Sequence, residues 1–368
     1  MAEWRKCTIS DLGTVVGGAT PSTNDIENYE KGTISWITPR DLSVLKGRYI
    51  QRGERNITEK GLKSCSSQLM PVNTVLFSSR APIGYVAIAK NELCTNQGMK
   101  SVIPNKSTDA LFLYYLLKYN KDAIEQMGCG TTFKEVSGTV MKDIVVKVPA
   151  DITDQQKIAR ILGSIDDKIE SNTAINDNLQ QELCLIYEHI MNQAKKGLIL
   201  GTHAIASELS EVTTGREDAN FADTNGKYKF FTCSSETLKC NHYAFNSSSI
   251  LIAGNGEFNV KHFSGKFNAY QRTYVLTPKQ EHYGLLYLAC LYQIKSFKSS
   301  SAGSIVKFIT KGDIDNIPVF IPDDGTYLIQ MNKLLDLQEM HLRENEKLLA
   351  LRDFLLPLLM NGQATIAE

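Results

Sequence analysis

The chain of 368 residues lacks most of the short signatures that mark enzymes. No GxxxxGKS/T phosphate loop is present, no GxGxxG opens a helix, and neither GxSxG nor HExxH occurs. There is no Asp/Asn-Pro-Pro-aromatic segment of the kind adenine methyltransferases use. The eight cysteines contain no CxxC, and the nearest pair, Cys233 and Cys240, is poorly spaced for zinc. His189, His203, His242, His262, His282 and His341 show no ligating interval. Cys129, between two glycines, reads as an exposed thiol, but no base adjoins it in sequence to make it a nucleophile. These absences exclude a catalytic apparatus or a metal site of the chain's own. Apolar runs stay below about ten residues, too short to span a bilayer. Met1-Ala-Glu-Trp-Arg-Lys6 has no apolar signal run, so a cytoplasmic protein with free thiols is expected. Net charge is absent too, with 40 Lys and Arg against 40 Asp and Glu.

What the chain does have is a long heptad seam. Ile158, Leu162, Ile165, Ile169, Asn172, Asn176, Leu179, Leu183, Ile186 and Ile190 follow one another in alternating steps of four and three, the spacing of a coiled coil. Thr153 and Gln156 have capping-box spacing, so the helix is expected to start there. Lys195, Lys196 and Gly197 mark its end: positive charge on the last turn, then a residue free to take positive φ. From Ile158 to Ile190 such a helix spans about 50 Å. Asp166 and Asp167, beside the seam, read as solvated helix charges.

The seam recurs 173 residues later, through Met331, Leu335, Gln338, Leu342, Asn345, Leu349, Arg352, Leu356 and Leu359. Asn172 maps onto Asn345. The segment leading into each helix recurs as well, Gly130 to Pro149 and Gly303 to Pro322, with Gly, Lys, Ile and Pro in register. An offset kept this long indicates a duplicated unit of globule plus helix. The order globule, helix, globule, helix makes the helices antiparallel if the halves pack about a pseudo-twofold axis. Asn172 and Asn345 then read as residues that fix coiled-coil register, or as polar positions facing a solvated groove.

Charge divides along the same lines. Residues 1–150 carry 19 Lys and Arg against 14 Asp and Glu, and residues 197–322 carry 12 against 10. Residues 151–196 carry 5 against 8, and residues 323–368 carry 4 against 8. Any nucleic acid would therefore meet the globules. In the first globule, strands are expected at 33–38, 74–77, 85–89 and 101–103, a turn at Asp41, a helix through Leu111 to Tyr119, and an exit strand from Ile144. The second repeats this in shorter form, at Tyr228–Thr232, Ser249–Ile252, a helix Leu285–Ile294 and an exit strand Ile317–Ile321. Ala253-Gly-Asn-Gly256 sits where Ser78-Ser-Arg80 sits, and Gln271 where Gln97 sits. The loops differ between copies. Two binding modules with one scaffold and two specificities would show that, and so would drift after duplication.

Leu76-Phe-Ser-Ser-Arg80, Pro82, Gly84-Tyr-Val-Ala-Ile88, Thr95-Asn-Gln-Gly98, Gly130-Thr-Thr-Phe-Lys134, Val148-Pro149 and Asp154-Gln-Gln-Lys-Ile-Ala-Arg-Ile-Leu162 together resemble the specificity subunits of type I restriction-modification enzymes. The resemblance covers the whole chain. Members usually carry Glu where Asp154 stands, and Tyr327-Leu-Ile-Gln-Met331 has lost that motif in the second copy. The resemblance implies a mixed α+β fold of two similar α/β target recognition domains, residues 1–150 and 198–322. Long antiparallel coiled-coil helices, residues 151–197 and 323–368, would separate them with pseudo-twofold symmetry. It implies a non-catalytic subunit whose domains each read half of a bipartite, asymmetric site in double-stranded DNA. Its partners would be two modification (methyltransferase) subunits and restriction (translocase and endonuclease) subunits. S-adenosylmethionine, ATP and Mg2+ would be bound by those partners and not by this chain. A coiled-coil adaptor with two protein-docking globules is the competing reading.

Under that resemblance, the seven basic residues between Arg40 and Lys63, among them Arg40, Lys46 and Arg48, are expected to contact phosphates. Base reading needs bidentate groups, Arg for guanine and Asn or Gln for adenine. Arg80, Gln97, Asn255, Gln271 and Arg272 lie in or beside loops suited to it. Gln97 and Gln271 read equally as braces of those loops. Lys134 and Lys307 read as phosphate contacts or as solvated lysines. Tyr85 reads as a core residue or as a platform for a distorted base.

Overall fold

In the computed structural model, which describes residues 3–80, 82–130, 134–300 and 308–364, the chain divides into two units. One is Met1–Ser171 with Asn345–Glu368, and the other is Asn172–Glu344. The division falls within the two long helices, Ile152–Lys195 and Thr326–Met360, rather than at their ends. Each unit thus keeps its head together with a stretch of both helices.

The first unit opens with Trp4–Thr8, paired antiparallel to the exit strand Val145–Pro149. A five-stranded sheet follows in the order Gly13–Gly17, Lys100–Pro104, Val75–Phe77, Val86–Ala89, Tyr49–Ile50. A smaller sheet joins Asn56–Ile57, Ile34–Ile37 and Cys94–Thr95. The helix Ala110–Tyr119 starts at Asp109, whose carboxylate accepts from Phe112 N at 2.8 Å, and it buries Phe112 through Leu117. Phe77, Tyr115, Val148, Ile158, Leu162 and Leu359 share one core, so apolar burial ties head to helices in this unit. The fully buried Gln155 adds a polar tie. Its Oε1 accepts from Asp109 N at 3.0 Å, and its Nε2 donates to Ser107 O and Pro149 O at 3.2 Å.

The second unit has the same plan. Gly201–Ile205 pairs antiparallel to the exit strand Pro318–Pro322. Its sheet runs Ser210–Thr214, Thr273–Pro278, Phe245–Ala253, Val260–Ala269, Tyr228–Phe231, Thr237–Cys240. The first four strands match the first four of the other sheet in order and direction. The helix Tyr283–Ser300 takes the place of Ala110–Tyr119 and packs with Leu183, Ile190, Met331 and Leu335. Although this head is shorter in sequence, its central strands are longer, 9 and 10 residues against 3 and 4.

The helix signals hold at one end and shift at the other. Lys195 is the last helical residue and Gly197 takes φ +70°. Leu198 N donates to Gln193 O and Gly197 N to Ala194 O, both at 2.9 Å, which closes the helix with a Schellman pair. The start lies at Ile152 instead of Thr153, because the Asp151 carboxylate accepts from Thr153 N at 2.8 Å and so takes the capping role. Asp41, expected in a turn, instead closes a capping box with Thr38 on the short helix Pro39–Ser43.

Every position of the first seam is buried or half-buried. In the second seam Leu342 and Leu349 are exposed, 47% and 37%. The middle of that helix meets its partner through polar groups instead. In the second unit Asn176 Nδ2 donates to Gln338 O at 3.1 Å, Gln338 Nε2 to Asn176 O at 3.0 Å, and Asn172 Nδ2 to Glu344 Oε2 at 2.7 Å. In the first, Asn345 Nδ2 donates to Ile169 O at 3.3 Å, and Arg352 Nη1 stands 3.0 Å from Asp166 Oδ1. These pairs set the helices antiparallel within each unit. Asp166 is therefore not a solvated charge, since the residue is 4% exposed. Asp167 pairs with Arg48. All eight cysteines are free, Cys129 being exposed. None of the described helices is long and apolar enough to cross a membrane.

Candidate nucleic-acid interface

In the first unit the loop after Val75–Phe77 is held by backbone bonds and by the Ser78 hydroxyl. Ser79 N donates to Gly98 O at 2.8 Å and Ser79 O accepts from Val136 N at 3.0 Å. Ser78 Oγ donates to Pro82 O and accepts from Tyr85 N, both at 2.8 Å. Ser78 and Ser79 are buried, so the loop is fixed at its root and Arg80 stands at its edge. The Arg80 guanidinium is 36% exposed, 3.9 Å from Glu135 Oε2. Lys100 Nζ lies 3.4 Å from the other Glu135 oxygen and donates to Gln97 O at 3.3 Å. Gln97 is exposed and its Oε1 accepts from the Thr20 hydroxyl. A Cβ on Gly98 would stand 3.0 Å from Pro39 and 3.4 Å from Arg80 Nε, so Arg40 adjoins the same surface. Lys134, exposed, precedes Glu135. Arg80, Gln97, Lys100 and Glu135 are thus brought together, with Arg40 and Lys134 adjoining them in sequence through Pro39 and Glu135.

The second unit builds its loop surface in the same way. Gly254 N donates to Arg272 O at 2.9 Å, and Ile309 N donates to Gly254 O at 2.8 Å. Asn255 bridges to Phe308 as Arg80 bridges to Glu135. Gln271 is exposed, and its Nε2 donates to Asp218 Oδ1 at 2.8 Å. Arg272 is exposed beside it. Asn255, Gln271 and Arg272 therefore share one surface. Glycine permits the close approach in both heads. A Cβ on Gly18 would lie 2.1 Å from Asn96 O, and one on Gly215 2.1 Å from Ala269 O. Both glutamines act as braces to the segment that this approach brings in, Thr20 in one head and Asp218 in the other. Lys307 lies outside the described residues.

The basic stretch 40–63 is largely neutralised by its own neighbours. Arg40 pairs with Glu54 at 3.6 Å, Lys60 with Asp25 at 2.9 Å and with Glu27, and Lys63 with Glu59 at 3.6 Å. Arg55 lies 4.3 Å over the Tyr29 ring. Arg48, expected at a phosphate, is corrected to a structural tether. It is 4% exposed, and its guanidinium donates to Gly163 O at 3.2 Å, to Glu170 Oε1 at 3.0 Å and to Asp167. Burial alone would lower its pKa, but the carboxylates beside it hold it above the usual arginine value. Lys46 is exposed and lines a cavity of about 360 Å³ with Tyr85, Lys118, Glu170 and Arg352. Tyr85 is half-buried there. Sequence reasoning missed Thr20, Lys100, Glu135, Asp218 and Phe308. Only the repeat offset, which equates Glu135 with Phe308, pointed to any of them. Among the described residues no group of three or more His, Cys, Asp or Glu is arranged to hold a metal ion.

The family model described as type I restriction modification DNA specificity domain matches residues 1–181 and 207–338. The type I restriction enzyme MjaIX specificity subunit of Methanocaldococcus jannaschii is 31% identical, over 100% of this chain and 94% of that protein. The type I restriction enzyme EcoDI specificity subunit of Escherichia coli is 42% identical over 127 residues, 34% of this chain and 29% of that one. Among solved structures, the type I restriction-modification S subunit from M. genitalium superposes with a TM-score of 0.64 at 17% identity, covering 100% of this chain and 97% of that one. That likeness bears on the fold.

Proposed function

The chain belongs to the type I restriction-modification DNA specificity family, and we propose from that premise that its two heads each read one half of a bipartite, asymmetric DNA site. The observation that carries this reading is the pair of loop surfaces. Each is set on the same strand order and framed by the same backbone bonds, and each carries different side chains. A common scaffold delivers the loops to DNA, and the differing side chains give each head its own sequence.

In this reading the heads are target recognition domains, residues 1–150 and 198–322. The helices form an antiparallel coiled-coil spacer about a pseudo-twofold axis and offer a docking face to two methyltransferase subunits, with restriction subunits joining the assembly. Asn172 and Asn345 keep the helices in register. A continuous helix of 44 residues is about 66 Å long, so the interval between half-sites is set by protein. The chain supplies recognition, and its partners supply S-adenosylmethionine, ATP, Mg2+ and the chemistry. Arg40, Lys46, Lys134 and Lys307 serve phosphates, Arg80, Asn255 and Arg272 lie at the base edges, and Gln97 and Gln271 brace the loops beside them. Membership of the family disfavours the adaptor reading.

The test is an exchange of residues 198–322 for the matching head of another family member, with the methylated sites sequenced in cells expressing the complex. One half of the recognised sequence changes and the other is retained. A change in both halves, or in neither, would overturn the modular assignment.

A further inference from the structure

The two heads hold one loop position in the same frame and fill it with different side chains. Residue 79 in the first unit and residue 254 in the second each donate a backbone N–H to the strand-end carbonyl of Gly98 or Arg272, at 2.8 and 2.9 Å. Each accepts from the residue after the bridge partner, Val136 or Ile309, at 3.0 and 2.8 Å. The next residue, Arg80 or Asn255, bridges antiparallel to Glu135 or Phe308, and those two are separated by the repeat offset itself. Arg80 and Asn255 are therefore structural counterparts. They also differ in the way that matters for base edges. A guanidinium offers two parallel donors, matching guanine O6 and N7, while a carboxamide offers one donor and one acceptor, matching adenine N7 and N6.

We propose that this shared position determines specificity in both heads, Arg80 reading a guanine in the first half-site and Asn255 an adenine at the corresponding step of the second. The proposal rests on the DNA-reading assignment above and adds which base each head requires there. The neighbours agree with it. Beside the charged reader stands Glu135, 3.9 Å from the guanidinium and 40% exposed, a counter-ion that holds the side chain until a guanine replaces it. Beside the neutral reader the counterpart is Phe308, uncharged and 61% exposed. Gln97 and Gln271 are counterparts as well, but their bonds to Thr20 and Asp218 make them positioning residues for the loop.

The experiment uses the full chain assembled with its methyltransferase subunits and a duplex library randomised across both half-sites. Arg80→Asn moves the preference at one base pair of the first half-site from G·C to A·T and leaves the second half-site unchanged. Asn255→Arg does the reverse in the second half-site. Each change in discrimination is on the order of 10- to 100-fold. Arg80→Gln keeps a long polar side chain but presents one donor and one acceptor, so it too gives up guanine in favour of adenine. It is the second arm should the Asn variant melt early. Retention of the guanine preference in Arg80→Gln would overturn the proposal. So would a uniform loss of affinity over all sequences with a shallower salt dependence, the mark of a phosphate contact. If the exchange of residues 198–322 alters one half-site while both point variants leave every preference intact, this proposal fails alone. If the exchange alters neither half, the reading beneath it fails.

Discussion

Arg352 Nη1 lies 3.0 Å from Asp166 Oδ1, and the other oxygen of that carboxylate accepts from the Tyr115 hydroxyl at 2.6 Å. The Asp166 side chain is 6% exposed and that of Arg352 17%. One carboxylate thus joins both long helices of the first unit to the helix Ala110–Tyr119. Asp166→Ala leaves a part-buried guanidinium and a buried phenol without their acceptor, although Arg352 keeps Asp353 at 2.8 Å. A loss of about 3 kcal/mol is expected. Asp166→Leu combined with Arg352→Met recovers part of it, since the unpaired guanidinium is gone while the buried Tyr115 hydroxyl still lacks its acceptor. Urea unfolding of the three chains checks this; a double variant no better than Asp166→Ala would refute the account.

Arg48 and Lys134 were expected to do the same job, and the structure separates them. Arg48→Ala removes the bonds to Gly163, Asp167 and Glu170, so stability drops by about 3 kcal/mol while the salt slope of DNA binding by the assembled complex stays as it was. Lys134→Ala leaves stability within about 0.5 kcal/mol and makes the slope shallower by about one counterion. Titrations at several salt concentrations, paired with melts, decide it. A changed slope in the Arg48 variant would restore it to the phosphate-contacting set.

If the helices set the interval between half-sites, a heptad added to each long helix lengthens the interval and leaves both half-sites as they were. Seven residues add about 10 Å, close to three base pairs. Sequencing the methylated sites measures the new gap directly. An unchanged gap would show that the helices are not the ruler.

Much of the scaffold was legible because its signals are local or periodic. The seam from Ile158 to Ile190, the closing Gly197 and the offset linking Glu135 to Phe308 need only spacing. What stayed hidden depends on partners far apart in sequence. Asp166 reads as solvated until Arg352 and Tyr115 fold onto it, and Arg48 reads as a surface cation until Glu170 meets it. Leu342 and Leu349 keep the heptad rhythm, yet they are exposed where Asn176 bonds Gln338 and Arg352 bonds Asp166. The cap at Thr153 gave way to Asp151 because a carboxylate placed two residues before an orphan N–H outcompetes a box defined by spacing alone. For the loop surfaces, the sequence placed the residues Arg80 and Asn255 together by alignment, but their common frame lies in backbone bonds that no side-chain pattern encodes.

His262, on the strand Val260–Ala269, is expected to make the second unit sensitive to mild acid. Its ring packs against Tyr287, centroids 4.9 Å apart, and Tyr283, 6.2 Å apart, and burial pushes its pKa down to about 4. The unfolded chain takes up this proton as pH falls through about 6.5, whereas the folded chain resists until about 4. The unfolded state therefore binds more protons in that window, and stability falls as pH is lowered through it. The contribution is complete above pH 6.5, and between pH 7 and pH 5 roughly 2 kcal/mol of it is lost. His262→Phe keeps the ring and removes the proton. The stability gap between the natural chain and this variant should then shift by that amount in the variant's favour as pH drops to 5, carboxylate titrations cancelling in the difference. Hydrogen exchange of the Val260–Ala269 amides reads the second unit alone. A gap that does not move with pH would mean that His262 is not held neutral by its surroundings.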